Sequence, residues 1–287
     1  MKTALVFGGT RFFGVNLVQS LLDKGVQVTI ATRQNSTDPF EDTVERLKLD
    51  RFDEASVKNA VEGREWDVVF DQLCFSSKDA KVATDALEGK IKRYIFTSTL
   101  SVYDQGQEMP EELFDPFTYN LKMVTKEEVT YQEGKRQAEA YFFQHASFPV
   151  VAMRIPIVLG EEDYTERLLH YVTSVKEGKA VYFPNPNAEM GFIYQSEAGD
   201  FLSWIAETDF TGPVNACADG SISMRDLMNL ISEKVGNEAT ITTENNELLS
   251  PYGIEETWTM SNDKATKIGY SFSHLNEWLP GLVAKLG

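Results

Sequence analysis

"TALVFGGTRFFGVNLVQSLLDKGVQVTIA", Thr3 to Ala31, decides the fold. Its opening apolar run stops at Gly8-Gly9, as a strand buried on both faces does. Phe13, Leu17, Leu21 and Leu22 then recur at helical spacing, and Gly25 stands where a helix C-terminal glycine belongs. The β-branched run "VQVTIA" follows. Strand, glycine turn, helix and strand make a βαβ unit, and backbone N–H groups at the turn and helix start suit a pyrophosphate.

The alternation continues outward. Strands are expected at "RLKLD" (46 to 50), "DVVFDQL" (67 to 73) and "RYIFTST" (93 to 99), with helices from about Glu54 to Glu62 and Lys78 to Leu87. This rhythm predicts an α/β, doubly wound parallel sheet of the Rossmann kind. It breaks after Tyr103: residues 104 to 126 are acidic, hold two prolines and lack a sustained period, as a functional loop would. A helix from about Tyr131 to Ala146 and the strand "PVVAMRI" restore it. Later helices are expected near Thr165 to Glu177, near Glu197 to Glu207 and at "SMRDLMNLISEKVG", with strands near Ala180 to Phe183 and at "PVNAC". With no linker or repeat in view, the reading is a dinucleotide domain of residues 1–155 plus about 190–222. A small interleaved C-terminal substrate lobe would take about 156–189 plus 223–287.

Composition sets outer limits. The 287 residues are 42% hydrophobic and 25% charged, ordinary for a globular chain, and 27 basic against 44 acidic side chains give a net charge of −17. Such a charge repels polyanions, so nucleic acid is not expected as a partner. Ala4 to Phe7 is too short for a signal-peptide core and no run reaches the roughly 18 apolar residues of a membrane span, so the expectation is a cytoplasmic protein with no membrane partner. Cys74 and Cys217 sit in apolar runs as buried thiols, and His145, His170 and His274 lack ligand spacing, so no metal is expected.

Two constellations carry chemistry. Gly8, Arg11 and Gly14 fall on a G-x-x-G-x-x-G frame whose middle glycine is replaced by arginine. The second strand ends "IATRQNS", with Arg33 where a carboxylate would select a ribose 2′-hydroxyl. Arg11 and Arg33 together could clamp a 2′-phosphate, which makes NADP the preferred cofactor over NAD. In "VTYQEGKRQAEAYF", Tyr131 and Lys135 lie one helical turn apart, and a neighbouring ammonium favours the phenolate that a general acid/base needs. Upstream, "FTSTLSVY" puts Ser98 and Thr99 at the carboxyl edge of the sheet, where ligands bind.

Taken in order, "GGTRFFG", "LKLD", "FTSTLSVY", "Y-Q-E-G-K", "RIPIVLG" and "PVNACADG…SMRDLM" resemble the extended short-chain dehydrogenase/reductase superfamily, NAD(P)-dependent epimerase/dehydratase branch. The resemblance implies Thr99, Tyr131 and Lys135 as catalytic residues, Lys135 also bonding the nicotinamide ribose. With Arg11 and Arg33 from the residue reading, the cofactor set is Gly8, Thr10, Arg11, Phe12, Phe13, Gly14, Arg33, Asp50, Arg51, Leu73, Lys135, Pro156 and Ile157, the resemblance placing Asp50 and Arg51 at the adenine. Loop positions suggest Tyr103, Lys122, Arg167, Phe183 and Tyr194 as contacts for a small-molecule substrate that is sugar-like, possibly a nucleotide sugar, or another hydroxy/keto compound. The resemblance also implies a possible homodimer through the helices after the fourth and fifth strands. "FIYQSEAGDF" departs from a landmark common among such enzymes. Two other readings share the glycine loop: a non-catalytic, NmrA-like cofactor sensor, which would generally lack the tyrosine, and the chloroplast stem-loop RNA-binding relatives, which the charge disfavours.

Overall fold

The structure is a computed structural model that describes residues 1–35, 37–244 and 249–287. The chain divides into two compact units: Met1–Tyr103, Glu111–Ile155 and Gln195–Ala216 form the first, and Asp104–Pro110, Pro156–Tyr194 and Cys217–Gly287 the second.

The first unit is built on seven strands: β1 (Thr3–Phe7), β2 (Gln27–Thr32), β3 (Glu45–Lys48), β4 (Trp66–Asp71), β5 (Ile91–Thr99), β6 (Val150–Ile155) and β7 (Gly212–Asn215). They lie in the order β7-β6-β5-β4-β1-β2-β3 and every neighbouring pair is parallel. This is the doubly wound Rossmann-type sheet that the sequence predicts. Because β1 leads outward to β2 on one side while β4 flanks it on the other, the chain reverses direction there and opens a crevice at the strands' carboxyl ends.

Helices α1 (Phe13–Asp23), α2 (Glu54–Ala60), α3 (Ser77–Leu87), α4 (Tyr131–His145) and α5 (Gln195–Ile205) cover the sheet. Asp53, Ser76 and Thr130 cap α2, α3 and α4, each accepting a hydrogen bond from the third residue onward. Helix α5 lies close against α1 because Gly199 has no side chain; a Cβ there would sit 2.6 Å from the Leu17 nitrogen. The core between sheet and helices is apolar, with Phe7, Val69, Tyr94, Phe96, Ala138 and Phe142 buried together.

One polar network runs through this unit. Arg154 on β6, wholly buried, pairs with Glu139 of α4 at 2.6 Å and donates to the Tyr103 hydroxyl and to the Glu111 and Phe114 carbonyls. All five of its N–H donors are thereby used. Ser98 donates to the same Glu139, and the Glu111 carboxylate accepts the Asn215 N–H at 2.7 Å. The network fastens α4 to β5 and β6.

The acidic stretch expected as one loop is split. Gly106–Met109 is a strand of the second unit, parallel to Trp258–Met260, because its backbone finds ladder partners there. Residues 111–126 instead cross α4 in the first unit, held by Gln137 to the Lys122 N–H and the Asn120 carbonyl and by Gln144 to the Pro116 and Tyr119 carbonyls. The missing periodicity of 111–126 follows from these side-chain anchors, which have no fixed spacing.

The second unit holds a four-stranded sheet, Ile222–Ser223, Glu189–Met190, Trp258–Met260 and Gly106–Met109, and two strand pairs, Phe192–Tyr194 with Ile157–Leu159 and Ile241–Thr242 with Val181–Tyr182. Helices Arg167–Lys176, Met224–Val235 and Leu275–Leu286 pack around Tyr171, Phe183, Phe192 and Tyr252. Most of these strands have two or three residues, too few for an alternating pattern to register in a sequence.

Arg154→Met would leave Glu139 charged, buried and without its partner. Urea unfolding is expected to show a loss of about 3–5 kcal/mol; a loss below about 1 kcal/mol would contradict the role given to the pair.

Candidate functional site

The glycine loop follows β1 directly. Gly8 and Gly9 have φ of 103° and 86°, in the region glycine alone enters cheaply. The third residue with positive φ is Phe12, at φ 52° and ψ −138°, held there with its ring buried. Arg11 is not among the positive-φ residues. The substitution at the middle of the frame therefore costs the loop nothing in backbone conformation, and the strain falls one residue later. Gly14 serves close packing: a Cβ there would lie 2.7 Å from Gln72 Oε1 and 3.0 Å from the Gly9 Cα.

These features suit a dinucleotide phosphate. Phe12 offers no side-chain cap to α1, an 11-residue helix whose positive end faces the loop. The loop packs its glycines around Gln72, which follows β4, and the buried Gln72 Nε2 has no hydrogen-bond partner. Nothing about Gln72 marked it in the sequence beyond its place at a strand end, and it joins the candidate site from the structure. The two arginines stand on adjacent strand ends: Phe7 pairs with Ala31, Gly8 donates to the Ala31 carbonyl, and both Arg11 and Arg33 are exposed. Thr10 and Phe13 are half-buried within the loop.

At the end of β3 the Asp50 carboxylate accepts the Phe52 N–H at 3.0 Å. The Arg51 side chain is no candidate for touching a base. It is buried in an ion pair with Asp71, Nη2 to Oδ2 at 2.5 Å, and Asp71 also receives the Tyr94 hydroxyl and the Leu73 N–H. What residues 50 and 51 present to a ligand is the Asp50 carboxylate and backbone. Leu73 is half-buried beside the crevice.

Lys135 organises the catalytic candidates. Its ammonium is buried, donates to the Cys74 carbonyl at 2.8 Å and the Thr97 carbonyl at 2.9 Å, and has no carboxylate partner among the described residues. It thus bridges the ends of β4 and β5 and keeps a third donor. Phe75, Phe96 and Tyr131 surround it, with ring centroids 4.7, 4.7 and 5.9 Å from Nζ. Tyr131, the first residue of α4, is 53% exposed, so its hydroxyl is open to a ligand while Lys135 lies beneath. Gly134 allows this approach, since a Cβ would fall 2.4 Å from the Phe75 carbonyl oxygen. Thr99 closes β5 and its Oγ1 accepts the Ser101 N–H at 3.1 Å, which leaves its own proton to donate. Ser98 faces the Glu139–Arg154 network instead and is not part of the open edge. Burial pushes the Cys74 thiol far up, so it is no nucleophile.

A cleft of ≈ 370 Å³ opens at Tyr131, lined by Phe75, Lys126, Glu127 and Thr130. A larger hollow, ≈ 570 Å³, lies at the opposite, amino-terminal edge of the strands, where Arg64 is already paired with Glu45 and the Trp66 indole with Thr29. Of the catalytic candidates, Tyr131 lines the smaller one.

Two suggested substrate contacts are corrected. Tyr103 is 2% exposed, its hydroxyl donating to Asn215 at 2.7 Å while accepting from Arg154; burial raises its pKa far above the usual phenol range. Phe183 is fully buried and stacked on Tyr171 at 5.1 Å in the second unit's core. Lys122 contributes its backbone to the 111–126 crossing, and its side chain is exposed. The remaining candidates lie in the second unit. Arg167 opens a helix and is exposed; Tyr194 donates to Glu161 at 2.6 Å, and burial together with that bond pushes its hydroxyl up to about 12. Pro156 and Ile157 begin that unit directly after β6, Ile157 pairing with Phe192.

Residues 8–179 match the NAD(P)H-binding family. The chain belongs to that family. Among characterised relatives it is 29% identical over 205 residues to the chloroplast stem-loop binding protein of 41 kDa b of Arabidopsis thaliana, covering 66% of this chain and 50% of that protein. It is 25% identical over 275 residues to UDP-glucuronic acid decarboxylase 1 of the same plant, covering 86% and 62%. The chain therefore spans between half and two thirds of the length of these relatives. Solved structures of similar fold include UDP-glucose 4-epimerase of Thermotoga maritima with UDP-glucose, at a TM-score of 0.78 and 17% identity over 98% of this chain and 97% of that one. Another is dTDP-glucose 4,6-dehydratase of Bacillus anthracis with NAD, at 0.77 and 16% over 99% and 96%. The fold is that of the extended short-chain epimerases and dehydratases, in agreement with the motifs. Among the described residues no helix is long and apolar enough to cross a membrane and no cluster suits a metal ion.

Alanine at an ordinary helical glycine stabilises by up to about 1 kcal/mol. Gly134→Ala is expected to do the reverse, lowering stability by about 1–3 kcal/mol as α4 is pushed off the Phe75 carbonyl. A melting temperature at or above the parent's would contradict the close approach described.

Proposed function

We propose that the chain is an NAD(P)-dependent enzyme of the epimerase, dehydratase or reductase kind, acting on a sugar-like or other small hydroxy/keto substrate. The observation that carries this reading is the buried Lys135 ammonium, held by two strand-end carbonyls beneath an exposed Tyr131. A bound nicotinamide would supply hydride transfer. With the Lys135 ammonium 5.9 Å from its ring centroid, Tyr131 would take a proton from, or return it to, the oxygen of the reacting carbon. Thr99, whose oxygen already accepts a backbone N–H, donates its proton to the same substrate oxygen and orients it. Lys135's remaining N–H is available to a cofactor ribose hydroxyl.

The loop from Gly8 to Gly14, with Gln72, would hold the pyrophosphate, and Asp50 and Leu73 would flank the adenine. Arg11 and Arg33 would bind a 2′-phosphate, which favours NADP. UDP-glucose in a structural relative makes nucleotide sugars the first substrates to test. The exposed tyrosine argues against a non-catalytic sensor, and −17 net charge against an RNA-binding role like that named for the stem-loop binding relative. A homodimer through α3 and α4 would meet the 111–126 crossing on α4 instead of bare helix.

Tyr131→Phe is expected to lower turnover on an identified substrate about 10²–10⁴-fold while NADPH still binds; unchanged turnover would remove the mechanism. Arg33→Ala is expected to weaken NADPH about tenfold or more and leave NADH unchanged, as loss of a charge-assisted phosphate contact would. Equal affinities for NADH and NADPH, with no loss in the variant, would contradict the NADP assignment.

A further inference from the structure

Two buried polar groups of the second unit lack hydrogen-bond partners among the described residues, and their needs are opposite: the Tyr252 hydroxyl is a donor and Asp163 Oδ2 an acceptor. Tyr252 is 1% exposed. A buried polar atom left unpaired costs stability, so each one in a finished fold calls for an explanation.

Both residues are held firmly by their other contacts. The Tyr252 N–H donates to the Tyr171 hydroxyl at 2.9 Å, and its ring packs on Tyr171 at 5.1 Å and on Phe192 at 5.4 Å. Asp163 Oδ1 accepts the Thr165 N–H at 2.9 Å and the Thr165 hydroxyl at 2.6 Å, while the Asp163 carbonyl accepts the Glu166 N–H at 3.1 Å. Asp163 is thereby fixed in the turn that opens the helix Arg167–Lys176, which carries Tyr171, and Oδ2 is left over. Tyr252 and Asp163 lie within electrostatic reach. Burial, the Asp163 carboxylate and Tyr171 push the Tyr252 hydroxyl well above the usual phenol range, and the Arg167 guanidinium pulls it the other way. Tyr252 therefore keeps its proton as a donor.

A hydroxyl group satisfies both atoms, since its oxygen accepts from Tyr252 and its proton goes to Asp163. A carbonyl has no proton for Asp163, an ammonium has no lone pair for Tyr252, and a carboxylate would be repelled. Arg167 adds a second demand. It is the first residue of the helix, is exposed, and makes no hydrogen bond or ion pair among the described residues. Its planar fork suits a phosphate or a carboxylate, and Glu166 gives the helix no side-chain cap, so the helix's positive end adds to the charge.

We propose that Tyr252, Asp163 and Arg167 form a subsite of the second unit for a hydroxylated anion, a sugar phosphate or sugar acid. One sugar hydroxyl bridges Tyr252 and Asp163, and the anionic group lies on Arg167. The proposal deepens the reading of a sugar-like substrate and rests on it for the ligand class. Phosphate and carboxylate would meet Arg167 in the same way, and the probes of the test separate them.

The test is calorimetric titration of the full chain, and of Tyr252→Phe and Arg167→Gln, with glucose 1-phosphate, glucuronate, glucose and NADPH. Melting curves are taken for each protein without ligand. Tyr252→Phe removes one oxygen and no packing. It is expected to melt at or above the parent's temperature, because the hydroxyl has no partner inside the protein, and to bind whichever anionic probe the parent takes about tenfold more weakly. Arg167→Gln should weaken the same probe about tenfold and leave glucose unchanged. NADPH binding should be unchanged in both variants. Affinities for the anionic probes within about twofold of the parent's in Tyr252→Phe would overturn the proposal. So would a Tyr252→Phe chain that melts well below the parent, the result expected if a trapped water already pairs the hydroxyl. A parent that binds NADPH but neither anionic probe would overturn the subsite and leave the dinucleotide reading standing. A parent that binds a probe through Tyr252 but binds no NADPH would support the subsite and contradict the enzyme reading.

Discussion

A lysine ammonium buried without a carboxylate is the constraint on which the candidate site depends. Desolvating such a charge is costly, and Lys135 offsets the cost with the Cys74 and Thr97 carbonyls and the faces of three aromatic rings. The Thr97 carbonyl lies in β5 and the Cys74 carbonyl in the turn after β4, so the two bonds tie α4 to the carboxyl edge of the sheet. Tyr131, one turn earlier, is thereby set at the edge. The absent Cβ of Gly134 and the buried Glu139–Arg154 pair, one turn later, hold the same helix from its other contacts.

The polar network and the glycine cradle divide the labour within the first unit. Arg154 satisfies five donors inside the core and ties down the 111–114 segment, so Ser98, Tyr103 and Glu111 are spent on structure. On the open side, the cradle leaves Gln72 Nε2 without a partner among the described residues. Unpaired buried donors are costly in a finished core and are expected where a ligand completes the site.

Much of the fold was legible because the parallel sheet writes itself as apolar strands alternating with amphipathic helices, and the first βαβ unit shows its glycine turn outright. Short strands of the second unit carry too few residues to show a period, and residues 111–126 are ordered by scattered side-chain anchors. For the candidate site, spacing and position nominate Gly8, Gly14, Tyr131 and Lys135, and the structure puts Tyr131 and Lys135 on one face of α4. Tyr103 and Phe183 were misplaced because a loop position in sequence says nothing about burial, and Arg51 because its partner, Asp71, lies 20 residues away. Gln72 lacked any motif, and Phe12's backbone strain is invisible in a sequence where Arg11 draws the eye.

The central claim is that Lys135 builds a nicotinamide dinucleotide site at the carboxyl edge of this sheet. Calorimetric titration of NADPH into the parent chain and into Lys135→Met, with melting curves for both, tests it most directly. The account predicts saturable one-to-one binding by the parent and a loss of about tenfold or more in the variant, which loses a charged ligand contact while keeping the side chain's apolar stem. A parent chain that binds neither NADPH nor NADH, or a folded Lys135→Met that binds as tightly as the parent, would contradict it.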